Sequence, residues 1–194
     1  MIEKEQILLL LQRISLHNDQ QAYRDLFVSL HKPLTRFAFG ILKSNDDAEE
    51  IVSDVFITVW EKRSTLSTIE SPLLYLYTAV KNRALNVIAK QKRQDGYDVS
   101  QWLVPMNSVY FDPEQLMISQ ETVQRIRKAI NELPARCRLI FMLVKEDGLK
   151  YKEVANLLNI SVKTVEAQMA IALRRIAQYM HLSIPSHVPK QIEK

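Results

Sequence analysis

GLKYKEVANLLNISVKTVEAQMAIAL, residues 148–173, is the stretch whose reading decides the fold. Val154, Ala155 and Leu158 form one face of a short helix that starts near Tyr151, and Ala155 is small where a second helix must approach closely. Asn159 stands where the chain must turn, and asparagine tolerates the left-handed conformation better than most residues. Ser161 is placed to cap the next helix, with Ile160 and Val165 at the spacing of a hydrophobic staple. Val165, Met169, Ala172 and Ile176 continue as an inward stripe. The opposite side carries Lys163, Glu166, Ala167, Ala170 and Arg174, a polar or small face suited to the major groove of DNA. The same spacing also fits an ordinary helical hairpin packed in a core, so the element alone leaves both readings open.

Outward from this element, the composition points to helices. The 194 residues include only three glycines and are 47% hydrophobic, with leucine, isoleucine, alanine, lysine and glutamate abundant. A net charge of +4 and a pI near 9.1 fit contact with nucleic acid without requiring it. Distribution says more: acidic residues crowd 46–61, whereas 81–93 holds five basic residues and no acid. The lone cysteine, Cys137, excludes an intramolecular disulfide and lies in the apolar run CRLIFMLV, where a buried inert thiol is expected rather than a nucleophile. No run approaches the roughly 18 apolar residues that span a bilayer. The short ILLLL run at 7–11 follows Glu3 and Glu5 and reads as part of an amphipathic helix. The expectation is a soluble, cytoplasmic protein with no membrane insertion.

The expected organisation is all-α: two small helical domains joined by a linker, the second a helix-turn-helix domain. Residues 1–93 form the first, with helices over 2–15 and 20–31, a third beginning at Pro33, and a fourth from Asn45-Asp46-Asp47 to about Glu61. Residues 64–70 read as a polar loop. Ser71 as N-cap and Pro72 at the first helical position start a further helix whose apolar face carries Leu73, Leu76, Tyr77, Val80, Ala84, Val87 and Ile88. A linker follows over 94–113, interrupted by Gly96, Pro105 and Pro113. It carries Trp102, Leu103, Val104, Tyr110 and Phe111, which suggest docking on this chain or a partner. Residues 114–180 form the second domain, with helices expected over 115–133 and 135–146 before the helix-turn-helix, and 181–194 form a frayed tail.

Two helix faces carry candidate chemistry. A 100° step places Asp46, Glu50, Asp54 and Glu61 on one side of the fourth helix, opposite Ala48, Ile51, Val52, Val55, Phe56 and Val59. This is either a solvated acidic face or a docking surface for a basic partner. The helix from Pro72 presents Tyr75, Thr78, Asn82, Asn86 and Arg93, flanked by Lys81, Arg83, Lys90 and Lys92. A ring to stack on a base, amides for base edges and cations for phosphates suit single-stranded nucleic acid, though a solvated basic helix end is the plainer reading. His17, His31, His181 and His187 lack metal-ligand spacing, and no phosphate-cradling glycine loop or acid–base dyad occurs. No catalytic residue, metal, cofactor or small-molecule substrate is expected.

With both halves in view, the chain resembles a bacterial RNA polymerase sigma factor of the compact extracytoplasmic-function (ECF) group. DDAEEIVSDVFITVWEKR (46–63) and SPLLYLYTAVKNRALNVIAKQKR (71–93) are similar to the helices of region 2. LPARCRLIFMLVKEDGLKYKEVANLLNISVKTVE (133–166) is similar to region 4. The resemblance implies a subunit that directs core RNA polymerase to promoters and commonly has an anti-sigma factor. Region 2 would bind the clamp helices and melt and read the −10 element, and region 4 would read −35 duplex while seated on the flap. Carried over, Asp46, Glu50, Asp54, Ile57 and Glu61 become the polymerase-binding face, and 62–70 the pocket-forming loop for a flipped base. Tyr75, Asn82, Arg83, Asn86, Lys90 and Arg93 fall where the family holds the non-template strand. Lys163, Thr164, Glu166, Ala167, Gln168 and Arg174 would meet −35 DNA. Ala170 and Ile171 depart from the polar or basic residues that relatives often carry there. Asn159 replaces the common glycine of the turn. The competing readings are a conventional helix-turn-helix regulator acting without polymerase and a helical adaptor that binds only protein.

Overall fold

The computed structural model describes residues 4–95 and 120–180. The order is α1 (Lys4–His17), α2 (Gln20–Leu42), α3 (Asn45–Glu61), a 3-10 helix (Arg63–Thr68), α4 (Pro72–Asp95), α5 (Gln120–Asn131), α6 (Ala135–Lys145), α7 (Tyr151–Leu158) and α8 (Val162–Tyr179). The described residues contain no strand. The linker aromatics, the helix start over 115–119 and the tail fall outside the described residues.

In the first half, α2 is the central element, packed against α1, α3 and α4. Asp19 caps it, its carboxylate accepting from the Ala22 backbone N–H at 3.0 Å, and that bond together with Arg13 holds the carboxyl below its ordinary value. The helix expected to end near His31 instead runs unbroken through Pro33. An interior proline forfeits a backbone bond and costs about 3 kcal/mol. Leu26, Leu30, Leu34, Phe37, Ala38 and Ile41 form one buried stripe across the site, and fully burying one leucine or phenylalanine returns about 1.5–3 kcal/mol. Continuity of the stripe outweighs the local break.

Three other local expectations are corrected by side-chain chemistry. The cap of α3 is Ser44, whose Oγ accepts from the Asp47 N–H at 3.2 Å, and Asp46 and Asp47 supply charge to the first turn. The 64–70 segment is mostly 3-10 helix, anchored by buried Leu66 and held against α1. The Ser71 hydroxyl does not cap α4; it donates to Glu153 in the second half. The apolar face of α3 is as expected, with all six of its inward residues buried.

In the second half, α6, α7 and α8 pack on one another, and α5 lies against α8. Gly148 takes φ 74° at the turn into α7, and Asn159 takes φ 53° between α7 and α8, the left-handed turn read from sequence. Ser161 caps α8, accepting from the Thr164 N–H at 3.1 Å. Leu157 rather than Leu158 is fully buried, because α7 is enclosed both by α8 and by α4. Cys137 is buried and its thiol donates to the Gln168 carbonyl at 3.3 Å; burial pushes the thiol's pKa up, as befits an inert group.

The two halves are in contact, and apolar packing runs without a break from α2 and α4 to Leu149, Val154 and Leu157. The Arg36 guanidinium reaches from α2 to the α6–α7 turn, pairing with Glu146 at 3.1 Å and Asp147 at 3.0 Å. The Lys81 ammonium donates to the Leu157 carbonyl at 2.9 Å, at the C-terminal end of α7, where a helix dipole favours a cation. Tyr77, wholly buried and edge-on to Phe37 at 5.1 Å, lies beside Asp147.

Candidate nucleic-acid interfaces

Three surfaces come from the sequence analysis. On α8, Val165, Met169 and Ala172 are buried, which turns Lys163, Glu166, Ala167, Ala170 and Arg174 outward as one exposed face. Thr164 is half-buried at its edge, and its hydroxyl lies 2.8 Å from that of Ser161 in the cap. Gln168 is also half-buried, and a 100° step per residue sets it well over 100° around α8 from Lys163, at the margin of the face it was expected to share; its backbone carbonyl accepts from the Cys137 thiol. Ile171 is exposed, an apolar side chain beside the polar ones. Glu166 faces Tyr151, whose phenol pKa is raised by burial and by that carboxylate. The exposed face thus offers one acceptor flanked by two cations, enough for a base edge and phosphates.

On α4, Asn82 and Asn86 are exposed one turn apart and Tyr75 is half-buried on the same side, while Leu73, Tyr77, Val80 and Ala84 fix the rotation by entering the core. Lys90 is exposed further along; the side chain of Arg93 lies outside the described residues. Arg83 departs from its expected place in this stripe. Its guanidinium turns to α3, 2.9 Å from Asp54 and 2.7 Å from the Thr58 hydroxyl. Arg83 and Lys81 therefore flank the stripe on opposite sides, one tied to α3 and the other to α7.

On α3, Asp46, Glu50, Ile57 and Glu61 are exposed, with Ile57 an apolar centre in an acidic face. Asp54 shares that face but is held by Arg83. Between α3 and α4 lies a cleft of about 470 Å³, with Asp47, Glu50 and Asp54 on one wall and Arg83, Asn86 and Lys90 on the other. Beyond α3, the Arg63 guanidinium stacks on the Trp60 ring at 4.8 Å and binds the Asn18 amide oxygen. These contacts shape the 62–70 segment from α1 and α3. Among the described residues, no cluster of three or more histidine, cysteine or acidic side chains is arranged to hold a metal, and no helix is long and apolar enough to cross a membrane.

Sequence reasoning missed the Arg36, Tyr77, Glu146 and Asp147 group. A 100° step puts Arg36 about 160° around α2 from Leu34, where a solvated cation is the natural reading. Nothing local announces a partner 111 residues away.

Comparison with known proteins places the chain in a family. The family model for sigma-70 region 2 matches residues 26–94 and that for sigma-70 region 4 matches 123–176, together more than half of the chain. The ferric citrate uptake sigma factor FecI of Escherichia coli K12 is 28% identical over 151 residues, covering 78% of this chain and 86% of that protein. The ECF sigma factor RpoE of Cereibacter sphaeroides is 24% identical over 174 residues, covering 88% and 93%. Among solved structures, the sigma factor RpoE of Bartonella quintana, in complex with the anti-sigma factor NepR, shares the fold with a TM-score of 0.52 at 20% identity, over 84% of this chain and 99% of that one. With both modules present in the family's order, the chain belongs to the sigma-70 family, in its ECF group.

Proposed function

We propose that this sigma factor divides promoter recognition between α4 and α8, with α3 as its hold on core RNA polymerase. The observation that carries the reading is the pairing, in one chain, of an exposed amide stripe on α4 and an exposed recognition face on α8. Duplex DNA presents a full donor–acceptor code only in the major groove, which a helix such as α8 can enter. Glu166 accepts from a cytosine amino group there, while Lys163 and Arg174 neutralise phosphates. Opened DNA offers base faces and Watson–Crick edges instead, which the Tyr75 ring and the Asn82 and Asn86 amides can engage while Lys90 and Arg93 track the backbone. Arg83 acts as a positioning residue, fixing the rotation of α4 against α3 through Asp54 and Thr58.

Asp46, Glu50 and Glu61 around Ile57 form a charged rim with an apolar centre, a pattern suited to a basic helical partner such as the polymerase clamp helices. The domain boundaries we assign are 1–93 for region 2, 94–113 for the linker and 114–180 for region 4. The protein works in the cytoplasm as a dissociable, non-catalytic subunit and is held inactive by an anti-sigma factor, as the Bartonella relative is bound by one.

The test is transcription in vitro with purified core polymerase and a library of promoter fragments. Starts that require both this chain and core polymerase are the expected result. Duplex binding by the isolated chain, with no polymerase-dependent start, would identify a conventional regulator instead.

A further inference from the structure

The 62–70 segment is tied to a helix outside the region 2 match, which begins at residue 26, whereas α1 ends at His17. The chain leaves α1 through Asn18 at φ 51°, a left-handed turn that glycine and asparagine adopt most readily. The Asn18 backbone N–H closes α1 on the Ile14 carbonyl at 3.1 Å. Glycine would meet the turn equally well. Asn18 adds a side-chain amide oxygen, and the Nε–H of Arg63 donates to it. The same guanidinium donates through Nη1 to the Trp60 carbonyl at 2.8 Å, in the last turn of α3, where carbonyls lack helical partners and the dipole favours a cation. It also stacks on the Trp60 ring, which lies edge-on to Tyr23 of α2 at 5.0 Å. One turn earlier in α1, the Ser15 hydroxyl donates to the Ser64 carbonyl at 3.5 Å. A 3-10 helix of six residues has poor hydrogen-bond geometry of its own, so what it packs against sets its conformation.

We propose that Asn18 and Ser15, at the end of α1, are positioning residues for −10 recognition: through Arg63 and Ser64 they hold the 62–70 segment in the conformation that receives an unpaired base. The inference rests on the assignment of 62–70 to the flipped-base pocket. The Thr65 and Thr68 hydroxyls donate to the Lys62 and Thr65 carbonyls within the segment, both at 2.8 Å. Ser67 and Glu70 are exposed and supply the polar groups for the base edge. Hydrogen bonds weaken steeply once distance or angle departs from the optimum, so a small displacement of the segment loses the readout without unfolding anything.

Asn18→Gly keeps the turn and deletes the acceptor, whereas Asn18→Asp keeps both. In the full chain with core polymerase, the glycine variant should weaken base preference at one −10 position at least threefold, read from a randomised promoter library. Its −35 preference and polymerase binding should be unchanged, and the aspartate variant should retain the wild-type preference throughout. In the free chain, the Thr65 and Ile69 amides bond to the Lys62 and Leu66 carbonyls at 3.0 and 3.2 Å. Their hydrogen exchange should quicken at least fivefold with glycine and not with aspartate. Unchanged −10 preference in the glycine variant, or −10 and −35 preferences that fall together, overturns the proposal. Ser67→Ala with Glu70→Ala tests the pocket separately. If that pair leaves −10 preference as in the wild type, the pocket assignment fails, and exchange at Thr65 and Ile69 still decides whether α1 holds the segment.

Discussion

Replacing Arg36 with methionine removes the cation from the Glu146–Asp147 turn while retaining an unbranched apolar stem. Breaking a buried ion pair typically costs about 3–5 kcal/mol because a charge is left unpaired. Here the loss is limited, since each carboxylate can take up a proton instead. The group pKa of Asp147 is about 6, so neutralising it at pH 7 costs about one unit, or about 1.4 kcal/mol. Glu146, at about 7, is already half protonated there and adds only a few tenths. The expected destabilisation at pH 7 is therefore about 1.5–2 kcal/mol. At pH 8.5 the gaps widen to about 2.5 and 1.5 units, raising the ceiling to about 5 kcal/mol, and at pH 6 the charge contribution shrinks to within about 1 kcal/mol.

Both pKa values are raised in the folded protein, so the wild type itself follows a defined direction. The stability these groups confer is complete below the unfolded values near 4 and is lost as pH rises through about 6 and 7. Facing the two carboxyls are Arg36 from α2 and the Tyr77 phenol from α4. Urea unfolding of wild type and Arg36→Met at pH 6, 7 and 8.5 measures the difference directly. A difference that is constant with pH, or largest at pH 6, refutes the reasoning.

Three further outcomes are expected. Glu166→Ala should relax sequence preference at one −35 position by about 1–3 kcal/mol, read by selection from a promoter library; an unchanged preference removes Glu166 from base readout. Asn82→Ala with Asn86→Ala should slow promoter opening, followed by permanganate reactivity of unpaired thymines, while polymerase binding and thermal stability (within about 0.5 kcal/mol per surface site) stay unchanged. Pro33→Ala should raise the melting temperature, with about 3 kcal/mol as the ceiling set by the missing backbone bond; a fall in melting temperature would show that α2 relies on the proline's local geometry.

The helix-turn-helix was legible because its determinants are local. A left-handed asparagine, a serine cap and an apolar stripe at helical spacing each act within one or two turns, and each is found where the sequence put it. The inward face of α3 was legible for the same reason. Local signals misled where a longer-range one was stronger. Pro33 reads as a helix start until the buried stripe on either side of it is counted, and Ser71 reads as a cap until Glu153 offers its hydroxyl a partner.

The sequence by itself determined an all-helical chain, the two modules and their family, and the outward faces of α3 and α8, because side-chain periodicity encodes which face of a helix is buried. Only the tertiary structure decided which cations remain for a ligand. Arg83 and Lys81 look alike beside the amide stripe, yet one is tied to Asp54 and the other caps α7. The seat of Arg36 between the Glu146 and Asp147 carboxylates is likewise set by packing across 111 residues of chain. An ion pair depends on distance in space, and helical periodicity carries no information about which distant turn will come to rest against a given face.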